Sequence, residues 1–259
     1  MFKSISKVCF ISIFLSLPFL LAGCVTTLDR PKPVVDEEKV LESNVKLGMA
    51  YLQQKQRDSA LRAFNRALEV DSKSAEANMG LAIIHQLNGE LDLAEKSFKK
   101  AERGRVIFSE ANIAYTYGRF LMEGERYKEA LSKFETAGKD IAFARRADAI
   151  YSMGVCADKL GDNKKAIASF EHALNLNTRH APAALELAHQ RFEARQYEQA
   201  KTYLDIYSRN ARQSARSLWL GIRIERIFGN KDKEASYALA LKNLHPYSRE
   251  YLMYKELKN

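Results

Sequence analysis

Between roughly residues 41 and 249 the apolar positions recur at helical spacing in segments about a dozen residues long, each ended by a short polar or glycine-bearing stretch. The pattern predicts pairs of amphipathic helices. One set of slots repeats from pair to pair at a period of about 34 residues. It reads Leu47, Gly48, Tyr51, Ala60, Phe64 and Ala67 in the first copy, and Leu81, Ala82, Ala94, Phe98 and Ala101 in the second. The third is Tyr117, Gly118, Ala130, Phe134 and Ala137, and the fourth Met153, Gly154, Ala166, Phe170 and Ala173. In the fifth, Leu187 and Ala188 lead to Ala200 and Leu204, but Tyr207 stands where the others have Ala. In the sixth, Leu220 and Gly221 lead to Ala235, two residues late. A small residue in the first helix facing an Ala in the second allows close antiparallel approach, while the aromatic or Leu plugs the groove between neighbouring pairs. Turns are expected at Gln56-Arg57-Asp58, Asn88-Gly89, Gly124-Glu125, Gly161-Asp162 and Gly229-Asn230.

These slots resemble the tetratricopeptide repeat (TPR) family over residues 38 to 249. The family's Trp is replaced throughout, by Asn44, Asn78, Ala114, Ile150 and Ala184. The resemblance implies an all-α superhelical solenoid of six helix-turn-helix repeats at about 41–74, 75–108, 111–144, 147–180, 181–213 and 214–249. After Pro246, the stripe Tyr247, Tyr251, Tyr254 and Leu257 predicts a terminal helix over 247–258 that covers the last pair. In TPR proteins the first helices line a concave groove. The matching slots here include Met49, Met79, Ile83, Tyr115, Arg119, Met122, Tyr151, Val155, Leu185 and Phe192. Such a groove, rich in Met, Tyr and Leu, suits an amphipathic helix or apolar strand from a protein partner, with Tyr115, Met122, Tyr151, Met79 and Ile83 as its main contacts.

The N-terminus follows another pattern. Lys3 and Lys7 precede an apolar run from Val8 to Leu20, too short to span a bilayer and followed by small residues, as in a cleaved export signal. Its end, Leu21-Ala22-Gly23-Cys24, resembles a bacterial lipobox. That resemblance implies a signal peptide over 1–23 and a Cys24 that carries diacylglycerol and an N-linked acyl chain such as palmitate. With Val25 and not Asp after the Cys, it also implies the periplasmic face of the outer membrane. Residues 24–36, with Pro31 and Pro33, form the lipidated Cys and a tether, and 37–259 the repeat domain.

The 259 residues are 46% apolar with a net charge of +9, which falls to +7 when the signal's two lysines leave. The charge is concentrated late: between Arg191 and Lys233 there are ten basic and five acidic residues. Export argues against nucleic acid as the target of that charge.

No catalytic or metal constellation is present in the sequence. The five histidines lack metal-ligand spacing, and Ser97-Phe98-Lys99-Lys100 has no companion motif and places Phe98 in a packing slot. The glycines are scattered among turns and repeats, with no phosphate loop. Cys156 is expected as a packing residue, without a disulfide partner once Cys9 is cleaved and Cys24 lipidated. The reading is of a non-enzyme with no metal and no cofactor beyond the lipid on Cys24.

The order of lipobox, tether and six TPRs, with Leu47-Gly48-Met49-Ala50-Tyr51 and the run from Leu61 to Leu68, resembles the type IV pilus biogenesis lipoproteins, the PilF/PilW group of pilotins. The resemblance implies binding of the pilus secretin subunit, its delivery to the outer membrane and its multimerisation there, with no nucleic acid or small-molecule substrate. Two alternatives are a periplasmic TPR adaptor that recruits proteases or peptidoglycan hydrolases, and, more remotely, an enzyme with an unrecognised site in repeats five and six.

Overall fold

The computed structural model describes residues 36–257. The signal segment, Cys24 and the tether up to Val35 lie outside the described residues. Among the described residues there are thirteen helices, six antiparallel pairs and one more. The pairs are α1 (Glu37–Gln53) with α2 (Arg57–Val70), α3 (Ala75–Leu87) with α4 (Leu91–Glu102), and α5 (Glu110–Glu123) with α6 (Tyr127–Lys139). They continue as α7 (Arg146–Lys159) with α8 (Asn163–Leu176), α9 (Ala181–Glu193) with α10 (Tyr197–Asn210), and α11 (Ala215–Ile227) with α12 (Lys231–Leu244). The last is α13 (Arg249–Glu256).

The two helices of a pair begin differently. First helices start from a side-chain cap: Asp36, Ser74, Ser109, His180, Ser214 and Ser248 each accept a bond from the backbone N–H three residues on. α7 lacks such a cap. Among second helices α8 alone adds a side-chain cap, Asp162 accepting from the Lys165 N–H. All six emerge directly from a three-residue turn whose middle residue is left-handed. That residue is Gly at 89, 161 and 229, but Lys55, Glu125 and Arg195 elsewhere, with φ near +60°. Each turn closes with a bond to the carbonyl five residues back, as from Gln56 N–H to Tyr51 O at 2.9 Å and from Arg126 N–H to Leu121 O at 2.9 Å. Gly124, at the expected turn, is the C-cap of α5 with a negative φ of −83°; the left-handed residue is its neighbour Glu125.

Phe64, Phe98, Phe134 and Phe170 are buried. They explain the small residues of the first helices. A Cβ on Gly48 would lie 2.5 Å from the Phe64 ring, and one on Gly80, in the next pair, 2.3 Å from the same ring. Glycine therefore makes room for the ring, not merely for the opposite Ala. Phe98 instead faces Ala82 and stacks on Tyr117 with centroids 5.0 Å apart.

Repeat six departs from the expected register. In the first five repeats the small slot, from Gly48 to Ala188, stands seven positions before the left-handed turn residue. Measured the same way from Gly229, the slot holds Ile222, and the aromatic slot holds Ala238, both buried. Gly221 and Tyr237 nevertheless keep the glycine–ring pairing, eight positions before and eight after Gly229, with a Cβ on Gly221 lying 2.9 Å from the Tyr237 ring, while Leu241 fills the late Ala slot and Ala235 is exposed. Both Gly221 and Tyr237 stand one residue early relative to the turn, which is no longer than in the other repeats.

Tyr251 and Tyr254 of α13 pack on the cluster of Leu218, Trp219, Ile222, Ala238 and Leu241, as a terminal cover should. The ends of the expected stripe do not join them. Ser248 caps a helix of only eight residues, leaving Tyr247 outside it and 96% exposed, with Leu257 exposed beyond its other end.

Ion pairs such as Glu95–Arg126, Glu102–Lys133, Glu135–Lys165 and Glu186–Arg216 bridge residues about one repeat apart. Partly exposed pairs of this kind contribute about 0–1 kcal/mol each, so the buried rings and aliphatics set the stacking.

Candidate functional site

The inner face formed by the first helices has two chemical halves. At its N-terminal end, α1, α3 and the start of α5 enclose a cleft of about 310 Å³. Val45 and Met79 form its floor at 1% exposure each, while half-buried Met49 and Phe108, 46% exposed, supply the accessible apolar wall. Lys46, Gln53, Ser109 and Asn112 stand around it.

Phe108 reaches the cleft because the α4–α5 connection folds back on repeat one. Arg105 pairs with Asp71 at 2.7 Å, and its backbone N–H bonds to Lys73 O at 2.7 Å. Gly104 allows that approach, since a Cβ there would meet Lys73 O at 2.4 Å. Glu76, in the first turn of α3 and 3% exposed, accepts the N–H groups of Ile107 and Phe108 on Oε1 at 2.9 and 2.6 Å. Its Oε2 is buried in the cleft region without a partner. The Asp71 carboxyl is held below its usual range, chiefly by the bond from Arg105.

The C-terminal half is polar. Arg216 clasps Glu186 with two bonds at 2.5 and 2.8 Å, Arg223 meets Glu193 at 3.3 Å, and Gln190 donates to Asp158 at 3.0 Å. His189 lies among them. Burial, then the positive charges of Arg216 and Arg223, push its pKa down to about 3, so the ring is neutral at ordinary pH.

Of the groove residues named from the sequence above, Met49 and Met79 line the cleft, as do Val45 and Asn112 at further first-helix slots. Ile83, Met122, Tyr151 and Val155 are half-buried along the same face, and Arg119 is exposed, 3.5 Å from Glu123. Tyr151 packs on Phe170 and His180, and burial pushes its hydroxyl up to about 12. Tyr115, Leu185 and Phe192 are corrected to packing residues. Tyr115 is 5% exposed, with Arg145 over its ring at 4.5 Å and donating to its hydroxyl. Phe192 lies under the Arg223 guanidinium at 4.1 Å, and Leu185 is in the core of repeats four to six. Neighbouring repeats cover these side chains, and helical spacing alone does not reveal it. Phe108 and Glu76 were missed; the available signal was the apolar run Val106-Ile107-Phe108 in an unusually long connection between repeats.

Cys156 is buried and its thiol is pushed up to about 11 by burial, as a packing residue would be. Among the described residues no group of three or more His, Cys, Asp or Glu side chains could hold a metal ion, and no helix is long and apolar enough to cross a membrane.

The Tetratricopeptide repeat family matches residues 45–105 and again 147–180. The type IV pilus assembly protein PilF of Pseudomonas aeruginosa is 34% identical over 242 residues, covering 91% of this chain and 95% of the relative. The chain belongs to the PilF family. The solved structure of P. aeruginosa PilF superposes with a TM-score of 0.80 at 33% identity, over 85% of this chain and 98% of that one. The structure of PilW, described as a widely conserved type IV pilus biogenesis factor, gives 0.68 at 28% identity over 83% and 98%. This chain is thus a PilF/PilW-like TPR protein of type IV pilus biogenesis, and its relatives are assembly factors, not enzymes. In this PilF family member the solenoid is a surface for protein–protein interaction, and the pilus role associates it with the cell envelope.

Proposed function

We propose that this PilF family member is a pilotin: it is lipidated on Cys24, sits on the periplasmic face of the outer membrane, binds the type IV pilus secretin subunit, and promotes its localisation and multimerisation there. The observation that carries this reading is the apolar cleft in the first two repeats, at the end of the solenoid that follows the tether. There Met49 and Phe108 offer a partner segment an accessible apolar wall.

The experiment compares wild type, Cys24→Ser and Met49→Glu in cells. Cys24→Ser should move the protein to the soluble periplasmic fraction and lower detergent-resistant secretin multimers in the outer membrane. Met49→Glu should leave the protein in the membrane but reduce the multimers, because a charge then enters an apolar wall. Normal multimer levels in both variants would refute the pilotin reading.

A further inference from the structure

We infer that the inner-face cleft selects a partner segment carrying a basic side chain among apolar neighbours, and that Glu76 reads that side chain. This rests on the cleft being the partner site. One Glu76 oxygen is occupied by the Ile107 and Phe108 N–H groups and holds the wall in place, while Oε2 is buried and unpaired. Buried polar atoms in folded proteins are nearly always paired, and a carboxylate oxygen pairs by accepting from a donor. The cleft therefore lacks a donor.

The chain's own nearby cations are engaged elsewhere. Lys46 Nζ is engaged with Glu42 at 3.1 Å and lies 5.2 Å from the centre of the Phe108 ring. Arg105 is engaged with Asp71. A Lys or Arg from a partner suits the shape: its methylene stem lies along Met49 and Phe108, and its head reaches Oε2 as a charge-assisted bond. A wholly apolar segment would offer Oε2 no donor and leave it unpaired, and an acidic one would be repelled.

The test uses short overlapping peptides that tile the periplasmic part of the cognate pilus secretin, with binding to the soluble Cys24→Ser full-length mature chain read by fluorescence anisotropy. The tightest peptide should contain Lys or Arg. Replacing that residue with norleucine should weaken binding about tenfold or more, a change of about 1.4 kcal/mol. Glu76→Gln should cost the same, and the two losses should not add, since each removes the same bond. Gln keeps an acceptor for the two N–H groups; if the variant still melts early, the norleucine peptide on wild type decides alone. Equal binding of the norleucine peptide, or a tightest peptide without a basic residue, overturns the inference. Should Met49→Glu leave every peptide's affinity unchanged, the cleft reading itself falls.

Discussion

Gly48→Ala offers a direct test of how the repeats are held. The added Cβ would lie 2.5 Å from Phe64 Cε1 and 2.7 Å from Cδ1 and Cζ, where ordinary contact begins at 3.4 Å. The ring edge must retreat by close to 1 Å. It cannot do so freely, because Gly80 on α3 contacts the same edge, and a Cβ there would be 2.3 Å away. Overpacking of this kind costs about 1–3 kcal/mol, offset by about 1 kcal/mol from the better helix propensity of Ala, so a net loss of about 1–2 kcal/mol is expected. At about 2–4 °C per kcal/mol the melting temperature, followed by circular dichroism, should fall by several degrees. Adding Phe64→Leu should recover much of the loss, because repeat five already pairs Ala188 with Leu204 in these slots with both buried. Met49 and Met79 adjoin the two glycines in sequence, so displaced helices should also weaken peptide binding in the cleft. A Gly48→Ala protein that melts at or above wild type and binds peptide normally would refute the account of Phe64 as the wedge between α1 and α3.

The turn residues and His189 make two further predictions. Lys55→Gly, Glu125→Gly and Arg195→Gly should each stabilise by about 0.5 kcal/mol in urea denaturation, since left-handed geometry costs a non-glycine residue more than glycine's added chain entropy; unchanged midpoints for all three would contradict this. For His189 the unfolded chain takes up a proton near pH 6.5 that the folded chain refuses until about 3. Its contribution is complete above pH 6.5 and is lost as pH falls through that window, by on the order of 1–2 kcal/mol at pH 5. His189→Gln should therefore flatten the dependence of stability on pH between 6.5 and 5, and a slope equal to wild type would exclude a buried neutral imidazole.

The repeat was legible in the sequence because its causes are local. A small residue sixteen positions before a Phe, a polar turn between them and a Ser or Asp ahead of the first helix act within one hairpin, and together they specify stacked helix pairs. Membership of the groove was legible only in part. The first helix of a repeat turns one strip toward the core and an adjoining strip toward the inner face, and helical spacing does not separate them when both are apolar. The twist between neighbouring repeats covered Tyr115, Leu185 and Phe192 and left Met49 accessible. The cleft's remaining wall comes from a connection folded back onto the previous repeat by Glu76, Arg105 and Gly104, contacts between residues about 30 positions apart. Repeat six shows the same division: Gly221 and Tyr237 keep the sixteen-residue pairing that the sequence displays, but its displacement by one residue relative to the turn, and the burial of Ile222 and Ala238 in the cluster under α13, were decided only when the helices were packed together.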